Sequence, residues 1–330
     1  MTAGEKGRRM KLSNPFIPQR ADPHVSRHDG HYYFTASVPA YDRVMLRTAP
    51  TLHGLAEAPE KTLWRAPLEG PASSLVWAPE LHRADDGWYV YFAAAPSREI
   101  REGLFQHRMY ALRNPSTDPM QGTWTFAGQV DSGIDAFCLD ATSFGHRGHR
   151  YYLWAQKDPD IPGNSNLYIA RVETPTRIQG EPVLLTRPEF DWEVQGFLVN
   201  EGPSVLIRHG KVFCSYSASA TDERYAVGLI WADADSDLLD PASWHKSPDP
   251  VFVTDADRGV YGPGHNSFTV AGDGVTDLLV YHARNYREIE GDPLWNPDRH
   301  ACVQPLQWDA AGMPVFGRPL REVELPEGGS

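Results

Sequence analysis

One stretch of the chain decides its fold: LDATSFGHRGHRYYLW, residues 139–154. A polar residue, Asp140, leads into a short segment that ends at the turn His146-Arg147-Gly148. The aromatic run Tyr151–Trp154 then has the length of a β-strand. Two such segments joined by a Gly-containing polar turn are typical of a β-hairpin, and we predict an antiparallel hairpin here.

The same unit occurs four more times along the chain. Its other turns are His28-Asp29-Gly30, Asp85-Asp86-Gly87, Arg208-His209-Gly210 and Gly272-Asp273-Gly274. The strand-like runs that follow these turns are His31–Ala36, Trp88–Phe92, Val212–Tyr216 and Leu278–Tyr281. The polar residues that lead into the five units are Asp22, Glu80, Asp140, Glu201 and His265 or Asn266. Their spacing of roughly 58 to 65 positions suits one four-stranded propeller blade with its loops.

Five units of this kind predict an all-β fold, a five-bladed β-propeller, in one domain of residues 14–320. We expect residues 1–13 to be a disordered leader and residues 321–330 to be a frayed tail. Residues 303–308 are expected to supply a last strand that closes the ring.

Composition excludes several classes of partner. The net charge of −12 argues against binding to nucleic acid. No apolar stretch reaches the roughly 18 residues of a membrane span. The three cysteines are widely spaced and no apolar segment follows Met1, so we predict reduced thiols and a cytoplasmic protein. Removal of a leader from a longer chain would make it secreted instead.

The chemistry follows from where a propeller places its innermost strands. These strands border the central channel, so the five leading residues would converge on one axis. Several carboxylates in one cavity repel each other and lose hydration, which makes a purely structural use of them costly. Hydrolysis of a glycosidic bond requires a carboxylic acid and a carboxylate on opposite faces of a sugar. The pattern therefore favours a glycoside hydrolase.

Five motifs give this hypothesis a specific form: Asp22-Pro23-His24, Trp77-Ala78-Pro79-Glu80, Asp140-Ala141-Thr142-Ser143-Phe144, Asn200-Glu201-Gly202-Pro203 and Gly262-Pro263-Gly264-His265-Asn266. In order and spacing they resemble the blade motifs of glycoside hydrolase family 43. The resemblance covers the chain from about Asn14 to Phe316. The opening Asn14-Pro15-Phe16-Ile17 and the closing segment 304–309 look like the exo-acting α-L-arabinofuranosidase branch of that family.

The resemblance implies roles for three carboxyl groups. Asp22 matches the general base that activates water, and Glu201 matches the general acid that protonates the leaving oxygen. Asp140 matches a third carboxylate that orients the acid and raises its pKa. The family inverts configuration, so the base and the acid are expected about 6.5–9.5 Å apart. The chemistry requires no cofactor, and the implied substrate is an oligo- or polysaccharide that ends in L-arabinofuranose.

Other residues are candidates for binding the sugar. Trp77 and Phe197 would form apolar walls, although a place in the core is an equal alternative for Trp77. Glu80 would contact a sugar hydroxyl or form a salt bridge. Arg284 and Arg299 are both candidates for an arginine that contacts the substrate. His265 matches a residue over the channel, where it would hold a central calcium or sodium ion, although one imidazole is a poor calcium site.

Three alternative functions remain at this point. A β-xylosidase or an endo-arabinanase would use the same scaffold and differ in the shape of the pocket. A non-catalytic carbohydrate-binding propeller is the third, and retention of Asp22, Asp140 and Glu201 together argues against it because binding alone requires no acid and base.

Overall fold

A computed structural model describes residues 9–327. Five sheets follow one another along the chain as the blades of a β-propeller, which confirms the predicted fold class. The chain begins with β1 (Arg9–Ser13). Blade 1 contains β2 (Ala21–His28), β3 (His31–Ser37), β4 (Arg43–Ala49), the short helix α1 (Leu52–Glu57) and β5 (Lys61–Arg65). Blade 2 contains β6 (Ser74–Ala84), β7 (Gly87–Ala95), the small hairpin of β8 (Ile100–Arg101) and β9 (Leu104–Phe105), β10 (Arg108–Asn114) and β11 (Thr125–Gln129).

The remaining blades follow the same plan. Blade 3 contains β12 (Cys138–His146), β13 (His149–Gln156), β14 (Asn166–Thr174) and β15 (Arg177–Thr186). Blade 4 contains β16 (Asn200–Arg208), β17 (Lys211–Ala218), β18 (Ala226–Asp233) and β19 (Trp244–Lys246). Blade 5 contains β20 (Tyr261–Val270), β21 (Asp277–Arg284) and β22 (His300–Pro305). Outside the blades lie β23 (Gln307–Trp308), β24 (Pro314–Val315), β25 (Glu322–Pro326) and three 3-10 turns at Asp191–Glu193, Pro241–Ser243 and Ala256–Arg258.

The core lies between the blades. Five large clusters of buried apolar side chains each join two neighbouring blades around the ring. Between blades 2 and 3, for example, the rings of Tyr91 and Tyr152 meet edge to face at 5.0 Å. Because both faces of a blade are covered, the second strand of each hairpin is largely buried, and all nine residues of β7 are buried. The aromatic runs in the sequence are these second strands.

The two ends of the chain close the ring. Strands β1 and β25 pair antiparallel, with Leu12 opposite Val323. The side chain of Asn14 donates to the carbonyl oxygen of Val303 at 2.8 Å and accepts from the Val303 amide. Residues 300–305 form the third strand of blade 5, so the predicted closing strand begins earlier and ends at Pro305.

The predicted leader and tail require correction. Residues 9–13 and 322–326 are paired strands, because Leu12, Val323 and Leu325 are buried in the cluster between blades 5 and 1. The rest of the predicted leader, residues 1–8, and residues 328–330 lie outside the described part of the chain. Between residues 9 and 327, no helix is both long and apolar enough to cross a membrane.

Apart from Leu75 in β6 and Gly262 in β20, each innermost strand has one residue with left-handed backbone near its start. The five residues and their φ angles are Asp22 (54°), Ala78 (45°), Asp140 (59°), Gly202 (55°) and His265 (43°). Strand pairing is irregular at the same place in every blade. Positive φ is uncommon for residues other than glycine, and strained backbone of this kind is concentrated at functional sites. The repeated kink therefore marks one end of the channel as the place to look for a site.

Candidate active site

A cavity of about 650 Å³ opens at the end of the channel where the kinks lie. Its volume is within the range of pockets that bind one small ligand. Seven of the nine predicted site residues line it: Asp22, Trp77, Asp140, Phe197, Glu201, His265 and Arg299. The structure therefore brings the three predicted carboxyl groups together, whereas Glu80 and Arg284 lie elsewhere.

Asp22 is buried among donors and cations. Its carboxylate accepts a hydrogen bond from the Ser37 hydroxyl at 2.5 Å and lies 3.5 Å from the Arg299 guanidinium. The Oδ1 atom of Asp22 also lies 3.4 Å from the Nδ1 atom of His265. Burial raises the pKa of Asp22, but His265, Arg299 and a bond with His282 outweigh it and hold that pKa well below the usual range. Burial also lowers the pKa of both histidines, so Arg299 carries the positive charge at neutral pH. Asp22 is therefore ionised and able to accept a proton.

Glu201 is in the opposite state. It immediately precedes the left-handed Gly202 at the start of β16, and its Oε1 atom accepts a hydrogen bond of 2.7 Å from the Tyr225 hydroxyl. Burial raises the pKa of Glu201 to about 7, with a further increase from the charge of Asp22, while the Tyr225 bond and Arg299 oppose it. A carboxyl group with this pKa retains a proton near neutrality and is suited to general-acid chemistry.

Asp140 lies beside Glu201. Its Oδ2 atom accepts a hydrogen bond from the Gly202 amide at 2.9 Å. Burial, followed by the charges of Glu201 and Asp22, raises the pKa of Asp140 well above its usual value. A carboxyl group that resists ionisation in the same cavity as one that is ionised is the pair that acid–base hydrolysis uses.

His265 packs between these groups. Its amide donates to the Ser217 hydroxyl at 2.7 Å, and its ring lies so close to Gly202 that a Cβ atom there would be 3.0 Å from the ring. The His265 ring lies 3.9 Å from Asp140 and 3.4 Å from Asp22. Glycine is therefore required at position 202 by both its φ and its neighbour.

The predicted ion at His265 is not supported by its surroundings. Calcium takes about six to eight oxygen ligands. In residues 9–327, three metal-ligand atoms of His, Cys, Asp or Glu come together only at His24, Glu80 and His82, a group that does not include His265. The residues around His265 thus do not fit a calcium site.

Aromatic side chains form part of the wall. Trp77 stacks on the His107 ring with 3.9 Å between the ring centroids and contacts Phe105 edge to face. Phe197 is 53% exposed and Ile100 is 58% exposed, and both line the cavity. The apolar faces of a sugar are complementary to walls of this kind.

Two of the predicted binding residues do not line the cavity, and for Glu80 the structure agrees with the alternative of a salt bridge. Glu80 lies two positions beyond the left-handed Ala78, where it is buried and bonded to His82 at 2.8 Å instead of lining the cavity. Arg284 is 2% exposed and donates to the carbonyl oxygens of Thr221 and Pro293. Because Thr221 and Pro293 line the cavity, Arg284 supports its wall from behind.

Several site residues were missed by the sequence analysis. They are Ser37, which donates to Asp22, Tyr225, which donates to Glu201, and His282, whose Nδ1 atom accepts from the Asp22 amide at 3.1 Å. None of them belongs to an innermost strand, where the repeated motifs occur. His282 lies in the segment from which Arg284 was selected, but nothing in that segment indicates which side chain faces the channel.

The family profile described as Glycosyl hydrolases family 43 matches residues 12–314. Among curated relatives, the extracellular exo-α-(1→5)-L-arabinofuranosidase of Streptomyces avermitilis is 48% identical over 96% of this chain and 65% of that protein. The protein of the same name from Streptomyces chartreusis is 51% identical over 85% of this chain and 84% of that protein. Among solved structures, the α-L-arabinofuranosidase of Lactobacillus brevis is similar with a TM-score of 0.92 and 52% identity, over 97% of this chain and 98% of that one.

The chain is shorter than some of these proteins. It spans 65% of the Streptomyces avermitilis protein and 64% of α-L-arabinofuranosidase 43 from Humicola insolens, just under two thirds of each.

Proposed function

The chain belongs to glycosyl hydrolases family 43, and on this premise we propose that it is an inverting exo-α-L-arabinofuranosidase. It releases terminal L-arabinofuranose from arabinan or arabino-oligosaccharides. One observation carries the proposal: in a single cavity, Asp22 has a strongly lowered pKa and Glu201 has a pKa raised to about 7. The names of relatives with 48% to 52% identity support arabinose as the sugar.

Each carboxyl group has its own step in this mechanism. Asp22 removes a proton from a water molecule, and the oxygen of that water forms a bond to the anomeric carbon. Glu201 donates its proton to the glycosidic oxygen as the bond between that oxygen and the anomeric carbon breaks. Because water attacks from the face opposite the leaving group, the configuration at the anomeric carbon inverts.

Asp140 and Arg299 keep these two groups in their proper states. The neighbouring carboxyl groups of Asp140 and Glu201 disfavour ionisation of each other, and the charge on Asp22 adds to this effect, so the acid retains its proton. The Arg299 guanidinium, 3.5 Å from Asp22, favours the ionised form of the base. The proposed mechanism requires no cofactor, because protons pass only between carboxyl groups, water and the sugar.

The cavity supports the removal of one terminal unit. Its volume of about 650 Å³ and its walls at Trp77, Phe105 and Phe197 suit a sugar held on more than one side. Thr221 and Pro293, held in place by Arg284, bound the cavity as well.

The location of the protein follows from its substrate in this proposal. Two relatives are named extracellular, and a polymeric substrate also supports secretion, the second of the two locations predicted from the sequence. The cysteines do not argue against it, because Cys138, Cys214 and Cys302 are all free and buried. Burial raises the pKa of each thiol and so protects it from oxidation.

The test compares an α-1,5-linked arabino-oligosaccharide with a β-1,4-linked xylo-oligosaccharide while NMR follows the anomer that forms first. Release of single arabinose units with inverted configuration is the expected result. Xylose as the main product would replace the proposal with a β-xylosidase, and release of shorter oligosaccharides would replace it with an endo-arabinanase. If neither substrate is turned over and Asp22→Asn binds them as well as the native protein does, the carbohydrate-binding alternative is correct.

A further inference from the structure

A second polar layer lies along the channel beyond the catalytic residues. Two positions after each left-handed residue, the innermost strands carry His24, Glu80, Thr142, Ser204 and Ser267. The three carboxyl groups of the proposed mechanism do not belong to this layer. It contains one acid, Glu80, which the cavity does not use.

Glu80 faces two histidines. The Nε2 atom of His82 lies 2.8 Å from its Oε2 atom, and the Nε2 atom of His24 lies 4.0 Å from the same oxygen. Glu80 and His82 are two residues apart on β6, so their side chains share one face of that strand. His24 comes from β2, the innermost strand of the neighbouring blade. The three ligand atoms all lie within 4.8 Å of one another.

These separations suit a small metal ion. Zinc binds imidazole nitrogen and carboxylate oxygen at about 2.0–2.2 Å, so neighbouring ligand atoms around a tetrahedral ion lie roughly 3.4 Å apart. The observed distances of 2.8 Å and 4.0 Å fall on either side of this value. Small rotations of the His24 and His82 rings would bring both distances to Glu80 close to this value.

Supporting contacts come from blade 3. Thr142 forms a hydrogen bond with Glu80, and the backbone of Ser143 forms one with His82. Metal ligands are usually oriented by hydrogen bonds of this kind to their other polar atoms. At His24, the Leu81 amide lies 3.4 Å from Nδ1, and Nε2 is the ring nitrogen that faces Glu80.

The charge of Glu80 also requires a partner. Its ion-pair contacts within residues 9–327 are both to histidine rings. Arg150, on the neighbouring blade, directs its guanidinium to the carbonyl of Arg83 and the hydroxyl of Ser143 instead. A buried carboxylate without a cation is costly, and a divalent ion would supply the missing charge.

We propose that His24, Glu80 and His82 bind one divalent transition-metal ion of the zinc class, with water completing its coordination. Two imidazoles and one carboxylate favour such an ion over calcium, which prefers oxygen ligands throughout. The ion joins the innermost strands of blades 1 and 2 and stabilises the ring. The site takes no part in the proposed hydrolysis, so the inference stands whatever the sugar specificity is.

The test uses zinc chloride on protein stripped with EDTA and dialysed. Calorimetric titration is expected to show one zinc per chain, and zinc is expected to raise the melting temperature by a few degrees. His24→Gln and His82→Gln should lose both responses, since an amide keeps the hydrogen-bonding capacity of the ring but ligates zinc poorly. His149→Gln is the matched control, because His149 is exposed on the turn of blade 3, away from the group, and should respond like the native protein.

Three results would overturn the proposal. The first is no heat of binding and no change in melting temperature with zinc. The second is an unchanged zinc response in His24→Gln and His82→Gln. The third is a response to calcium chloride alone, which would indicate an oxygen-rich site elsewhere. If the variants do not fold, X-ray absorption of the zinc-loaded native protein decides: two imidazole ligands support the site, and a shell of oxygen atoms alone contradicts it.

Discussion

The Tyr225 hydroxyl donates a hydrogen bond of 2.7 Å to Oε1 of Glu201. The Tyr225 ring is nearly parallel to the imidazole of His282, with 5.6 Å between the centroids. The Nδ1 atom of His282 in turn accepts the backbone amide of Asp22. One aromatic pair therefore connects the proposed acid with the proposed base. The Tyr225 ring also covers Gly264, where a Cβ atom would lie 2.4 Å from the ring, so no larger residue fits at position 264.

Tyr225→Phe is expected to shift the pH dependence of activity. The hydrogen bond from Tyr225 lowers the pKa of Glu201, so its loss raises that pKa further above about 7. The acid must be protonated to act, and the alkaline limb of kcat/KM should move upward by about one pH unit, the value of a hydrogen bond to a charged group. The measurement is kcat/KM across pH. Tyr110→Phe is the control, because its hydroxyl bonds Pro71 away from the cavity; a shift of equal size in both variants would contradict the role of Tyr225.

Glu201→Gln and Asp22→Asn should separate the roles of the two groups. Loss of the acid is expected to lower kcat on natural linkages by about 100- to 10,000-fold, with a much smaller loss on aryl arabinofuranosides, whose leaving group needs little protonation. Loss of the base should lower both activities similarly, because water is needed in either case. Steady-state kinetics on the two substrates decide. Equal losses in Glu201→Gln would remove Glu201 from the acid role, and turnover near the native rate in Asp22→Asn would remove Asp22 from the base role.

The stability of the native protein should fall with increasing pH through the range where Glu201 ionises. The folded-state pKa of Glu201 is about 7, above its ordinary value of 4.5, so folding favours the protonated form. This contribution is fully present below about pH 4.5 and is lost as the pH rises through about 7. Glu201→Gln does not titrate and should exceed the native protein in stability by on the order of 2 kcal/mol at about pH 8, while the two agree at about pH 4.

Urea denaturation at the two pH values measures this difference. Glu57→Gln is the control, because Glu57 is exposed on helix α1 and lies outside the cavity. A Glu201→Gln variant that is less stable than the native protein at both pH values would mean that the charge on Glu201 is well compensated in the fold.

Gly202→Ala should damage activity more than stability. The left-handed backbone costs an alanine about 1–2 kcal/mol, and the new Cβ atom would also lie 3.0 Å from the His265 ring. Gly210→Ala is the matched control, since its φ of 73° imposes a similar cost and nothing lies within 4 Å of its Cβ position. Both variants should lose stability similarly in thermal denaturation, and only Gly202→Ala should lose kcat. Native kcat in Gly202→Ala would show that the place of His265 does not matter for the reaction.

Much of the fold could be predicted because local patterns specify it. The five polar turns and the aromatic runs after them form hairpins wherever they occur, and the polar turn before Tyr151–Trp154 is the loop between β12 and β13. Their even spacing fixes the number of blades. The strand at residues 9–13 carried no such signal, because its stability depends on β25, which lies at the other end of the chain.

The three carboxyl groups of the candidate site could be predicted because they belong to motifs that repeat on the innermost strands. The cavity contains all three, Asp22, Asp140 and Glu201. Tyr225, Ser37 and His282 reach the site from a loop, from the end of β3 and from β21, where contacts across the fold decide what faces the channel. Arg284 and Arg299 were equal candidates in the sequence. Only the packing of the fold shows that Arg299 lines the cavity and that Arg284 is buried behind its wall.

The sequence alone determined the propeller and its five hairpins, because strand alternation and turn chemistry act over a few residues. The tertiary structure alone decided the register of the kink in each blade. The left-handed residue of blade 2, Ala78, lies two residues before Glu80, whereas that of blade 4, Gly202, lies one residue after Glu201. The even spacing of the motifs in the sequence does not reveal this difference. Because strand pairing is irregular at the kink, residues on its two sides are aimed differently: Glu201, just before it, lines the cavity with Asp22, whereas Glu80, two residues after it, contacts His24 and His82.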